Sequence, residues 1–186
     1  MKSKRVDIHV GECYASKDGS IIVTILGSCV AACLFDPVNR IGGMNHILMP
    51  GRADIKHFDE PTRYSINAME LLINRMMDLG GDRDKIVAKV FGGAHLIPTI
   101  SKENMMGEKN VSFTLEFLKR EGIRVISRDV GGTDARKIFF HTNTGDVFLR
   151  RIPSTYQNWM IKKESLELKR IQKIAHLPGE VTFFHE

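Results

Sequence analysis

Two predominantly apolar runs, Val30 to Phe35 and Ile41 to Met49, flank the pentapeptide Asp36-Pro37-Val38-Asn39-Arg40. Pro37 presets its φ and Asn39 bonds local backbone, so the pentapeptide reads as a turn. Apolar runs of this length bounded by turn formers read as the two strands of a hairpin. With Pro37 and Val38 as the central residues, Asp36 pairs with Asn39, and Cys29 falls opposite His46, seventeen positions further on. Directly opposed residues hold their Cβ atoms about 4.5–5.5 Å apart, within reach of a thiol–imidazole contact. A one-residue slip would send one of the two side chains to the other face.

A thiol is nucleophilic only as its thiolate and needs a base or a positive field beside it. His46 can be that base and can return the proton to a leaving group. Gly27 and Ser28, in Thr24-Ile25-Leu26-Gly27-Ser28-Cys29-Val30, let backbone approach a substrate closely, with N–H groups near Cys29 to bind an oxyanion. A cysteine in an apolar strand is more often inert core, so spacing alone leaves both readings open.

The run Leu26-Gly27-Ser28-Cys29-Val30-Ala31-Ala32-Cys33-Leu34-Phe35-Asp36-Pro37 resembles the bacterial chemoreceptor glutamine deamidases, CheD. So do Gly42-Gly43-Met44-Asn45-His46 and Leu48-Met49-Pro50. Phe91-Gly92-Gly93-Ala94, Gly107-Glu108-Lys109-Asn110, Asp129-Val130-Gly131-Gly132 and Arg136-Lys137-Ile138 follow in consistent order. The resemblance implies a catalytic set of Cys29, His46 and Thr24, with Gly27 and Ser28 as the oxyanion and substrate loop. Thr24 would accept from the second imidazole nitrogen and orient the ring, a role more often given to Asp or Asn. The implied activity is hydrolysis of glutamine side-chain amides on the helical cytoplasmic bundle of methyl-accepting chemotaxis receptors, through a thioester on Cys29. From a different class, the family also implies a regulatory binding partner of a CheC-type chemotaxis phosphatase, with little catalysis of its own. A Cys–His peptidase or acyltransferase is a third reading, which the wider match opposes.

At 186 residues, with 42% apolar and 26% charged side chains, the chain suits one well-packed domain. No apolar run is long enough to cross a bilayer, so a soluble cytoplasmic protein without membrane insertion is expected. Three cysteines at irregular spacing make neither a disulfide framework nor a paired-CxxC zinc site. Neither metal nor cofactor is expected: the chain lacks a His-Glu-x-x-His motif, and its glycine pairs at 42–43, 92–93 and 131–132 are no nucleotide loop. The net charge of +5 favours an acidic partner such as a receptor bundle, and its scatter does not point to nucleic acid.

Ile21 to Ile25 reads as a strand ahead of the hairpin, and residues 51 to 60 as a loop flanking the site. A helix opens at Pro61-Thr62 and stops at Gly80-Gly81, with Ile66, Met69, Leu72, Ile73 and Met76 at helical spacing. Ile86 to Phe91 is a strand, Asn110 to Glu121 a helix capped by Asn110, and Ile123 to Ile126 and Lys137 to His141 are strands. Val147 to Ile152 returns as a hairpin partner. Strands at both ends around helices, without regular βαβ alternation, argue for an α+β fold, a mixed β-sandwich flanked by helices in a single domain. Residues 1–153 form the expected deamidase domain. Residues 154–186 are a basic C-terminal extension, with an imperfectly amphipathic helix from Tyr156 to His176 docked on the same domain. Cys33 reads as core, Cys13 as structural or incidental, His57 as solvated in its charged loop, and His95 and His141 as surface or core positions more readily than as lining a site.

Overall fold

The computed structural model describes residues 3–49, 60–96, 106–152 and 157–175. Among the described residues, nine strands form two sheets. One contains β1 (Arg5–Asp7), β3 (Ile21–Leu26), β8 (Ala135–His141) and β9 (Val147–Ile152) in the order β1-β3-β8-β9. The other contains β2 (Cys13–Ser16), β4 (Val30–Asp36), β5 (Ile41–Asn45), β6 (Val87–Gly92) and β7 (Arg124–Val130) in the order β2-β5-β4-β6-β7. Both sheets are mixed: β1 runs parallel to β3 and β6 parallel to β7, and the remaining pairs are antiparallel. The chain is an α+β sandwich in a single domain, the architecture its pattern implies.

Alternation along β4 places the core on both its faces. Ala31 and Cys33 face the first sheet and meet Ile22, Leu26, Ile138 and Phe140. Val30, Ala32 and Leu34 face away and meet α1 (Glu60–Asp78) and α2 (Met106–Arg120). From α1 come Met69, Leu72, Ile73 and Met76, all fully buried. Removing a side chain of this kind from water is worth about 1.5–3 kcal/mol. A strand buried on both faces must be apolar throughout, which is why the hairpin lacks the half-buried alternation of a surface strand. Helix α2 begins one turn earlier than Asn110. Together β6, α2 and β7 form a βαβ crossover that the sequence reading did not anticipate.

The hairpin register differs from the expected one. Asp36 pairs with Ile41 and Cys33 with Met44, so residues 37–40 make a four-residue loop. The buried Asp36 carboxylate explains the longer loop. It accepts from the backbone N–H of Val38 at 2.9 Å and of Asn39 at 3.0 Å, and from Asn39 Nδ2 at 2.8 Å. The turn closes at Arg40, whose φ of 54° is left-handed. An isolated bridge between Val30 and Ile47 carries the same register onward, bringing Cys29 level with Leu48 rather than His46. The shift is two residues, an even number, so Cys29 and His46 stay on one face as diagonal neighbours. The loop expected at residues 51 to 60, including His57, lies outside the described residues apart from Glu60, which opens α1.

Candidate active site

Strand β3 carries Thr24, and β4 begins immediately after Cys29. His46 follows the last residue of β5, where the hairpin ladder opens. Asn45 causes that opening: its side-chain oxygen, not its backbone, accepts the Ala32 N–H at 3.0 Å. The backbone of His46 turns to the neighbouring segment instead, its N–H donating to Glu12 O at 3.0 Å and its carbonyl accepting from Gly11 N at 2.9 Å. Thr24, Cys29 and His46 are all buried and line one cavity of about 100 Å³.

The proton positions follow from donor counting. Thr24 has one hydroxyl hydrogen, and Oγ1 lies 2.8 Å from the Ile8 carbonyl, which can only accept. Oγ1 also lies 2.8 Å from His46 Nδ1, so that contact must use the imidazole's hydrogen. His46 is therefore protonated at Nδ1, and its Nε2 lone pair is buried with no hydrogen-bond partner among the described residues. A buried acceptor without a partner is costly in a folded protein, and active sites are one place where such groups occur. Burial, helped by the nearby charges of Lys163 and His9, lowers the His46 pKa to about 3. Burial also pushes the Cys29 thiol well above its ordinary range, and the Glu164 carboxylate adds to this by charge and by accepting a hydrogen bond. Burial thus favours the neutral form of both the thiol and the imidazole.

The Gly27-Ser28 loop is held from behind. Gly27 O accepts from Ala94 N at 2.7 Å and Cys29 O from Gly93 N at 2.7 Å. Gly92 has a φ of 112°, and a Cβ there would stand 2.1 Å from Cys29 O, so the close approach demands glycine. Behind that loop, Gly92 O accepts from Gly131 N at 2.9 Å. The buried Arg136 in turn binds Asp129 and the carbonyl of Gly131. The later glycine and arginine motifs thereby buttress the loop that carries the thiol.

Two participants escaped the sequence reading of the site. Asn110, expected as a helix cap, is wholly buried and ties two segments together. Its Oδ1 accepts from Met49 N at 2.9 Å, and its Nδ2 donates to Ser28 O at 2.8 Å. Its signal was present in the Gly107-Glu108-Lys109-Asn110 match, whose polar residue faces the core. Glu164 belongs to α3 (Gln157–Ala175) and had no signal. Its Oε1 accepts from Ser28 N at 2.9 Å and its Oε2 from Ser28 Oγ at 2.6 Å. Cys13 and Cys33 lie apart from this cavity's lining, and Cys33 is buried among apolar side chains.

A family model described as CheD chemotactic sensory transduction matches residues 48–151. The chain is 40% identical over 97% of its length to a probable chemoreceptor glutamine deamidase of Shewanella oneidensis, covering 88% of that protein. A protein of the same description from Vibrio vulnificus is 38% identical over 96% of this chain and 86% of its own. One from Agrobacterium fabrum is 49% identical over 77% of each. The chain belongs to the CheD family. Its likeness to the crystal structure of Bacillus licheniformis hypothetical protein YfiH is slight, with a TM-score of 0.40 and 13% identity over 63% of this chain and 49% of that one. As a CheD-family chain, the protein places the Gly-Ser-Cys run and the histidine after β5 around one cavity, and the family's later motifs behind the thiol loop.

Proposed function

We propose that the protein hydrolyses glutamine side-chain amides of methyl-accepting chemotaxis receptors, giving glutamate and ammonia. The deamidase description of its relatives supports the reaction class. The observation that carries the residue roles is the Thr24–His46 contact, which fixes the Nδ1–H tautomer and leaves Nε2 as the basic nitrogen of a ring that lines the same cavity as Cys29.

Cys29 Sγ attacks the carboxamide carbon as its proton passes to His46 Nε2. The oxyanion is held by backbone N–H at the Gly27-Ser28 loop, with Ser28 N–H already directed at an oxygen atom. The His46 proton then passes to departing ammonia, leaving a thioester. Water, deprotonated by the same Nε2, opens the thioester to glutamate and restores the thiol. Thr24 acts through the ring as a positioning residue. Its neutral hydroxyl stabilises imidazolium less than a carboxylate would, which suits a slow modifying enzyme better than a fast digestive one.

The substrate is the receptor's helical cytoplasmic portion, and the enzyme works in the cytoplasm. Consistent with this, no described helix is long and apolar enough to cross a membrane. A CheC-type phosphatase is a further partner that the family resemblance suggests. A binding-only role would leave the buried unpartnered Nε2 without a purpose, so catalysis is the preferred reading.

The test is mass spectrometry of a receptor cytoplasmic fragment incubated with wild type or with Cys29→Ala. Conversion at particular glutamines, each gaining about one dalton, by wild type alone supports the proposal. Equal conversion by both proteins would sink the nucleophile assignment.

A further inference from the structure

Glu164 is bound as a reaction product would be. The reaction turns a glutamine on a helix into a glutamate, and Glu164 is a glutamate on a helix with its carboxylate at the nucleophile's loop. One oxygen takes the Ser28 N–H and the other the Ser28 hydroxyl, and the Cys29 thiol lies beside them. The approach is close: a Cβ on Gly27 would stand 2.5 Å from Glu164 Oε1. Trp159, Lys163 and Glu167 of the same helix also line the cavity. Helix α3 thus supplies one side of the cavity of about 100 Å³ that Thr24, Cys29 and His46 line.

The seat of α3 suits displacement. Ile161 packs against the small cluster of Ala94, Leu96 and Ala135, and Leu168 against the inter-sheet core. Trp159 and Leu166, which would strengthen a permanent docking, are 57% and 68% exposed. Lys162, Lys163, Lys169, Arg170 and Lys173 are exposed along the helix, a surface that an acidic helical bundle attracts.

We propose that α3 is an internal product mimic: Glu164 fills the site of the reacting side chain, and the enzyme stays closed until a substrate helix displaces α3 and presents its glutamine in the same place. This rests on the deamidase reading and adds to it a closed resting state and the geometry of substrate presentation. Loss of the mimic exposes the thiol to small reagents and lowers the barrier to substrate entry by the free energy of the contacts that close it.

The test uses the full chain. Iodoacetamide labelling of Cys29, followed on its own peptide by mass spectrometry, is compared in wild type, Glu164→Ala and the exposed-face control Lys169→Ala, with circular dichroism to establish folding. Glu164→Ala is expected to label roughly tenfold faster or more, because two hydrogen bonds to a charged group are lost, and the control at the wild-type rate. Equal rates for wild type and Glu164→Ala overturn the closure, whether or not receptor glutamines are still converted. Glu164→Gln keeps the side chain's shape and serves as the second variant. Its new amide is expected to be deamidated in place, gaining about one dalton with time, and not to change when Cys29→Ala is added. Faster labelling of Glu164→Ala, with neither that amide nor any receptor glutamine converted, upholds the closure and counts against the deamidase reading.

Discussion

The cavity has a wall and a roof, and the two are built differently. The wall is made by β3, the segment from Gly27 to Cys29, and His46. Each of these backbones is tied to a neighbour, and Thr24, Cys29 and His46 are buried. The roof is α3, which joins the wall through the Glu164 carboxylate and a few apolar contacts while much of its surface faces solvent. A wall of this kind holds reacting atoms within narrow tolerances, and a roof of this kind opens at small cost. The contrast separates residues whose loss should stop chemistry or folding from residues whose loss should alter access.

The largest effect expected is on the wall. His46→Ala should lower the deamidation rate by about 10²–10⁴-fold with the fold intact by circular dichroism, since both proton transfers use Nε2. Activity within a few-fold of wild type would remove His46 from the mechanism. Next is Gly92→Ala, which puts a methyl group against the Cys29 carbonyl at a left-handed φ. It should cost about 3 kcal/mol or more in urea unfolding, and a smaller loss would mean that the loop behind the thiol is softer than its hydrogen bonds imply.

Thr24→Val keeps the volume and removes the hydroxyl, leaving His46 Nδ1–H and Ile8 O without their partner. A stability loss of about 1–3 kcal/mol is expected, with kcat falling more than KM rises. ¹⁵N NMR of His46 should show the Nδ1–H tautomer in wild type and a mixture in Thr24→Val. The pH dependence has a definite sign. The His46 pKa is about 3 in the folded chain and 6.5 ordinarily, so the unfolded state binds the extra proton between these values. Stability contributed by neutral His46 is complete above about pH 6.5 and declines as pH falls toward 3, and His46→Gln should flatten that part of the curve. The smallest effect belongs to the roof: Leu166→Ala, at a solvent-facing position, should change stability by no more than about 0.5 kcal/mol. A larger loss would show α3 to be an integral layer and blunt the distinction between wall and roof.

Much of the wall was legible because its signals are local. Turn formers between two apolar runs announced the hairpin, and Met69, Leu72, Ile73 and Met76 announced the buried stripe of α1. Strand periodicity placed Cys29 and His46 on one face, a conclusion that survived a register error because the error was even. The error arose at Asp36, whose carboxylate holds two backbone N–H groups of the loop and lengthens it, an interaction that a residue's propensity does not reveal. Asn110 was visible as a polar residue at the start of a helix, but its partners are Met49 and Ser28, distant in sequence.

By itself, the sequence determined the strand and helix types, the shared face of thiol and imidazole, and the family, because periodicity, turn chemistry and motif order are properties of neighbouring residues. Only the tertiary structure decided the imidazole tautomer, the ladder opening at Asn45 and the seating of Glu164 on Ser28. Each depends on groups brought together across the chain, where a single hydroxyl, amide or carboxylate meets a backbone group left unpaired by the sheets.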